Sequence, residues 1–174
     1  HVTLPNNQVA VSIAAGVAFT CVATATGSAY CWGTNTDGQT GIGYKSNQSS
    51  PIMVPTSVLV PDGINFVQVT TGLNRACALD STGNAWCWGH NYNGTFGDGT
   101  YTSNSSPQRV LLPAGTSLSS ISTGWYHTCG LTTTGTLLCW GTNDNGELGT
   151  GTTLGGKTIR QTVLPDGVVA ASVS

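Results

Sequence analysis

The sequence predicts an all-β protein made of three propeller-type four-stranded blades, an incomplete propeller or open array that neighbouring chains complete. Two observations lead there. Strong helix formers are scarce, with one Glu, two Lys and one Met in 174 residues, while Gly, Thr, Ser, Val and Asn abound. One motif also recurs three times in register: CVATATGSAYCWGTNTDGQTG at 21–41, CALDSTGNAWCWGHNYNGTFG at 77–97 and CGLTTTGTLLCWGTNDNGELG at 129–149. Four strands recurring every ~50 residues are the mark of propeller blades.

In the second copy FVQVTTG (66–72) reads as a first strand, ACALD (76–80) as a second, AWCWG (85–89) as a third and PQRVLLP (107–113) as a fourth. Ser81-Thr82-Gly83-Asn84 closes a tight hairpin between the second and third. Gly27, Gly83 and Gly135 share one place in that turn, where positive φ favours Gly. The Asn-, Gly-, Asp- and Ser-rich stretch after the third strand is a loop. Leu4-Pro5, Val60-Pro61, Leu112-Pro113 and Leu164-Pro165 each precede a β-type run. The chain therefore reads as a single repeat domain over 1–174, with blades at about 8–61, 64–113 and 116–165 and with 1–7 and 166–174 as terminal segments in equivalent phase.

Two cysteines in each copy stand ten residues apart around the hairpin turn: Cys21 and Cys31, Cys77 and Cys87, Cys129 and Cys139. Residues placed symmetrically about a tight turn face each other on adjacent strands, close enough for a disulfide. Of the pairings that six cysteines allow, the repeat selects this one. Each bridge closes a loop of about eleven residues, which the chain-entropy account values at about 2.5 to 3 kcal/mol. Zinc is the alternative use, but CxxC spacing is absent and no His recurs at one repeat position, so no metal site is expected.

The run Cys-Trp-Gly-x-Asn-x-x-Gly-x-x-Gly resembles the repeat of the regulator of chromosome condensation family. Trp32-Gly33, Trp88-Gly89 and Trp140-Gly141 carry the match, followed by Asn35, Asn91 and Asn143 and by the pairs Gly38 and Gly41, Gly94 and Gly97, Gly146 and Gly149. The resemblance implies a β-propeller, typically of seven blades; three copies are a departure. For function it is open, since such propellers serve as nucleotide exchange factors, enzyme inhibitors, photoreceptors and secreted modules. GWYHT at 124–128 is similar to the Gly-Trp-Arg-His-Thr run of plant ultraviolet-sensing members, but Tyr126 replaces the Arg, so photoreception is not expected.

Charged residues make up 7% of the chain, against about 25% in typical domains. Five Lys plus Arg cannot neutralise a run of phosphates, so nucleic acid is excluded as a partner. No apolar run reaches the roughly 18 residues of a membrane helix, so no membrane insertion is expected. The low Lys and Glu content and six cysteines fit an extracellular or cell-surface setting. His1 in first place is what a cleaved export signal would leave.

Residues 2–15 and 162–174 occupy the same repeat phase, and their strands are as apolar as the internal ones. Three blades cannot close a ring, so the expected partner is the chain itself, joined head to tail into an extracellular filament or surface layer. The interface would comprise Val2, Leu4, Val9, Val11 and Ile13 at one end and Val163, Leu164, Val168, Val169 and Val173 at the other. A strand exchanged between neighbours would add main-chain hydrogen bonds. The alternative is a propeller fragment or closed oligomer acting as a protein- or glycan-binding module.

No catalysis and no cofactor are expected. His90 and His127 fall at different repeat positions, and no Ser-His-Asp arrangement is discernible. His1 could chelate copper through its amino terminus, but the oxygenases that do so need a second His on another scaffold. Asp37, Asp98, Asp144 and Glu147 lie in Gly-rich loops too sparsely charged for calcium, and read as solvated turns. Tyr44, Tyr92, Tyr101, Trp86 and Trp125 are candidates for an aromatic surface that binds protein or glycan. Asn47, Asn93 and Asn104 each head an Asn-x-Ser/Thr triplet and are candidate glycosylation sites.

Overall fold

The computed structural model describes residues 2–173. Among these residues, twelve strands form three antiparallel sheets. The first holds β1 (Ala10–Ala15), β2 (Phe19–Thr24), β3 (Ala29–Gly33) and β4 (Ile52–Ser57). The second holds β5 (Phe66–Thr71), β6 (Arg75–Asp80), β7 (Ala85–Gly89) and β8 (Asn104–Arg109). The third holds β9 (Leu118–Thr123), β10 (His127–Thr132), β11 (Leu137–Gly141) and β12 (Gly156–Gln161). Strands lie in chain order within each sheet, so every blade is a meander, and the three blades do not close into a barrel.

The hairpins have the form the sequence predicts. Gly27 N bonds to Thr24 O, and φ is +83° at Gly27, +83° at Gly83 and +84° at Gly135, a region side chains rarely adopt. The cysteine pairs stand opposite in register with Cα atoms 4.2, 4.0 and 4.1 Å apart, and all three disulfides are formed. Such short separations belong to the narrow, non-hydrogen-bonded kind of antiparallel pair.

The fourth strand departs from expectation: it runs Asn104–Arg109, not 107–113. Pro107 lies inside it and Pro55 inside β4, tolerated because these are outer edge strands with no donor needed on the free side. Val110 N still bonds Ala85 O, but Leu111 N turns to Gly97 O in the long loop. The apolar run from Val110 thus leaves the ladder to clamp that loop, and Val110 is buried.

The core lies between sheets. β6 is buried at all six positions because blades cover both of its faces, and Ala76, Cys77 and Ala78 are small enough to let them approach. Phe19, Val58, Phe66, Val69 and Trp88 fill the first interlayer. Leu79, Phe96, Leu118, Ile121 and Trp140 fill the second. First strands of successive blades also touch through polar groups. Ser12 Oγ accepts from Val69 N (3.1 Å), the Gln68 amide bonds both backbone groups of Ile121 (3.1 and 3.2 Å), and the Thr70 and Thr123 hydroxyls meet at 3.0 Å.

Each long loop is organised by the motif's Asn, buried in all three copies. Asn35 donates to Tyr44 O and accepts from Thr40 N. Asn91 joins Thr102 O to Phe96 N, and Asn143 joins Leu154 O to Leu148 N. A Gly-rich stretch thereby becomes a fixed element that reaches the next blade.

Candidate functional site

The joint between blades is made twice from the same contacts. Trp88 Nε1 donates to Gln39 O (3.0 Å) and Trp140 Nε1 to Thr95 O (2.8 Å), each in the preceding blade's loop, and both indoles are fully buried. Phe66 N bonds Gly27 O and Leu118 N bonds Gly83 O, both at 2.9 Å, so each hairpin holds the next first strand. The loop runs flush against the next blade's outer strand: a Cβ on Gly94 would lie 2.4 Å from Lys157 N.

The first blade presents half of that joint to solvent. Trp32 occupies the position of Trp88 and Trp140, yet it is only half-buried and its N–H makes no such bond among the described residues. Ile13 is 69% exposed, whereas its counterparts Val69 and Ile121 are 4% and 1% exposed. With Val2, Leu4, Ala10 and Val22 these residues line a groove of about 430 Å³. Val9, just before β1, and Val11 within it are also exposed.

The third blade presents the complementary half. Its Glu147 carbonyl stands where Gln39 and Thr95 accept an indole, and no indole donates to it among the described residues. Ser120 Oγ is buried with no partner, although its counterparts Ser12 and Gln68 both bond the next first strand. Gly146, the counterpart of Gly94, faces open space.

Residues 165–170 continue the repeat. Val168 N bonds Pro165 O as Ile64 N bonds Pro61 O, and Ala170 N reaches Gly135 O at 3.4 Å. The tail thus begins where a further first strand would lie. Val163, Val168 and Val169 are exposed, and Leu164 and Val173 are half-buried. β1 belongs to a complete four-stranded sheet, so β1 and the tail hold the same repeat position at opposite ends of the chain.

The other predicted residues are dispersed. Asn47 is exposed; Asn93 donates its amide to Thr142 across the second joint (2.9 Å); Asn104 begins β8. Among the described residues no three His, Cys, Asp or Glu side chains cluster to hold a metal, and no helix is long and apolar enough to cross a membrane. The copper expectation for His1 falls outside the described residues. Tyr44, Tyr92, Tyr101 and Trp125 are exposed, but Trp86 is half-buried and donates to Asp80, so it leaves the candidate aromatic surface while exposed Tyr126 joins it.

One residue carries an unpredicted role. Arg75 is buried, with its guanidinium beneath the turn at Gly124–Thr128. Burial lowers the pKa of His90, with Arg75 and Lys45 adding to the effect and Asp37 opposing it. Burial likewise lowers His127, reinforced by Arg75 and opposed by Glu147. Both shifts favour the neutral imidazole.

Stacked, disulfide-stapled meander blades joined by a recurrent indole-to-carbonyl bond define a β-propeller repeat protein. The chain belongs to the regulator of chromosome condensation (RCC1) repeat family, whose repeat matches residues 10–39, 66–95 and 118–147, and in a longer form 26–79 and 82–131. The ultraviolet-B receptor UVR8 of Arabidopsis thaliana is 30% identical over 139 residues, 80% of this chain and 31% of that protein. The chain thus spans about a third of this relative's length. Among solved structures, human WBSCR16 superposes with a TM-score of 0.79 at 22% identity, covering 92% of this chain and 41% of the other. Prp20p of Saccharomyces cerevisiae gives 0.77 at 16% identity, covering 89% and 38%. These two likenesses establish the fold alone.

Proposed function

We propose that this chain is a non-catalytic protein-binding propeller module, and that the partner its outer faces fit best is a second copy, joined head to tail into an extracellular or surface assembly. The observation carrying this reading is the half-made joint. Trp32 and Ile13 at one end match the Glu147 carbonyl, Ser120 hydroxyl and Gly146 at the other, position for position, with the joints formed twice inside the molecule. Such a contact is heterologous, so it propagates or closes according to its rotation. Low charge leaves little repulsion between copies, and the three disulfides suit an oxidising compartment.

Light scattering of the purified chain across concentration, with electron microscopy of the same samples, tests the reading. Complexes larger than one chain that persist at high salt are expected, and Ile13→Asp should return them to monomer. A monomer at every concentration would overturn self-association.

A second reading places a different protein on a propeller rim. It is favoured by the exposed Trp125, Tyr126 and Tyr92, and by Prp20p, whose structure is described together with its binding to Gsp1p and histones.

A further inference from the structure

Away from both end faces, one buried cation has no counter-charge among the described residues. Arg75 is 2% exposed. Its Nη1 donates to Trp125 O (2.7 Å), and its Nη2 approaches His127 O (2.6 Å), Gly124 O (3.2 Å) and Thr128 Oγ1 (3.3 Å). All four acceptors are neutral, and the Nε–H is buried without a partner. Carbonyls satisfy hydrogens but do not neutralise a charge withdrawn from water. The cost is visible in the guanidinium, whose pKa burial alone pulls down to about 9.

Arg75 also lines a cavity of about 150 Å³ walled by Leu73, Asn74, His90, Trp125 and Tyr126. A water takes roughly 30 Å³ of liquid, so the cavity has room for a carboxylate together with several waters. Trp125 and Tyr92 stand exposed nearby, and the His90 ring meets Tyr92 edge-on at 4.4 Å. Burial favours the neutral form of His90, whose further charged neighbours are Asp37 and Lys45, so Arg75 is the one guanidinium or ammonium among the lining residues and suits a singly charged carboxylate.

We propose that this cavity anchors one Asp or Glu side chain of a protein partner, the carboxylate accepting from Arg75 while flanking partner residues lie across Trp125, Tyr126 and Tyr92. Guanidinium–carboxylate bonds are among the stronger hydrogen bonds, and aromatic residues dominate the energetics of such contacts. The inference rests on the rim and is independent of head-to-tail association.

The test is a titration of the whole chain with acetyl-Gly-Glu-Gly-amide, its Gln twin and inorganic phosphate, followed by nitrogen-resolved NMR of Arg75 Nε–H and the Trp125 indole. Saturable shifts of both signals are expected, with the Glu peptide binding at least tenfold tighter than the Gln peptide and tighter than phosphate. Trp125→Ala, at an exposed position that leaves the core intact, should weaken the Glu peptide about tenfold. Equal responses to Glu and Gln, shifts confined to other residues, tighter phosphate, or an unaffected Trp125→Ala variant would each overturn the proposal and leave Arg75 as a brace for the turn.

Discussion

Arg75 and Asp80 begin and end the same buried strand and handle charge in opposite ways. Asp80 gathers donors onto both oxygens: Thr82 N, Thr82 Oγ1 and Asn84 N on Oδ1, Asn84 Nδ2 and Trp86 Nε1 on Oδ2. Burial would raise its carboxyl, but the bonds from Thr82, Trp86 and Asn84 outweigh that and hold it below the usual carboxylate range. A group depressed in the folded state adds stability above its unfolded pKa and loses it as pH falls through the folded value. Asp80→Asn, which turns an amide toward donors, should cost about 1–2 kcal/mol near neutral pH. The gap to the parent should narrow below about pH 4 as the parent's own carboxylate protonates. Denaturant melts across pH check both the sign and the window; a gap that widens in acid would contradict this account. Tryptophan gives a second contrast at this scale. Trp88→Phe strands the buried Gln39 carbonyl and should cost about 1–3 kcal/mol, whereas Trp32→Phe removes no bond and should be near neutral in the monomer.

At the scale of the element, each blade is a hairpin locked by one bridge. Replacing Cys77 and Cys87 together by Ala should lower stability by about 2–5 kcal/mol, and calorimetry of the oxidised double variant measures it. The pairing was legible because symmetry about a turn puts both cysteines in local register, and the turn glycines were legible because one position repeats. The fourth strand was not. Its apolar residues lie beyond the ladder, where Leu111 bonds the long loop, so hydrophobicity marked a clamp and not the strand itself. Arg75 was equally hidden: its acceptors lie 49 to 53 residues away on another blade, and no local pattern announces them. Trp86 misled for the opposite reason, since its N–H is claimed six residues away by Asp80.

At the scale of the whole molecule, the three copies act as internal controls for one another. Gly94 and Gly146 share a repeat position and positive φ, +69° and +82°. Alanine at Gly94 would collide with Lys157 backbone, while at Gly146 it meets nothing within 4 Å. Gly94→Ala should therefore destabilise the monomer clearly more than Gly146→Ala, which carries only the conformational cost of about 1 kcal/mol. If a second copy docks as the internal blades do, Gly146→Ala must nevertheless block association, because the incoming outer strand would meet the new methyl. The tail sharpens the prediction. Ala170 bonds Gly135 as Phe66 bonds Gly27, so residues 166–173 occupy the approach of an incoming β1. Removing 166–174 should then strengthen association, read by sedimentation at fixed concentration, with Gly146→Ala still abolishing it. Weaker association after truncation would mean that the tail is a donated strand and not an obstacle, and unchanged association in Gly146→Ala would place the contact somewhere other than the third blade.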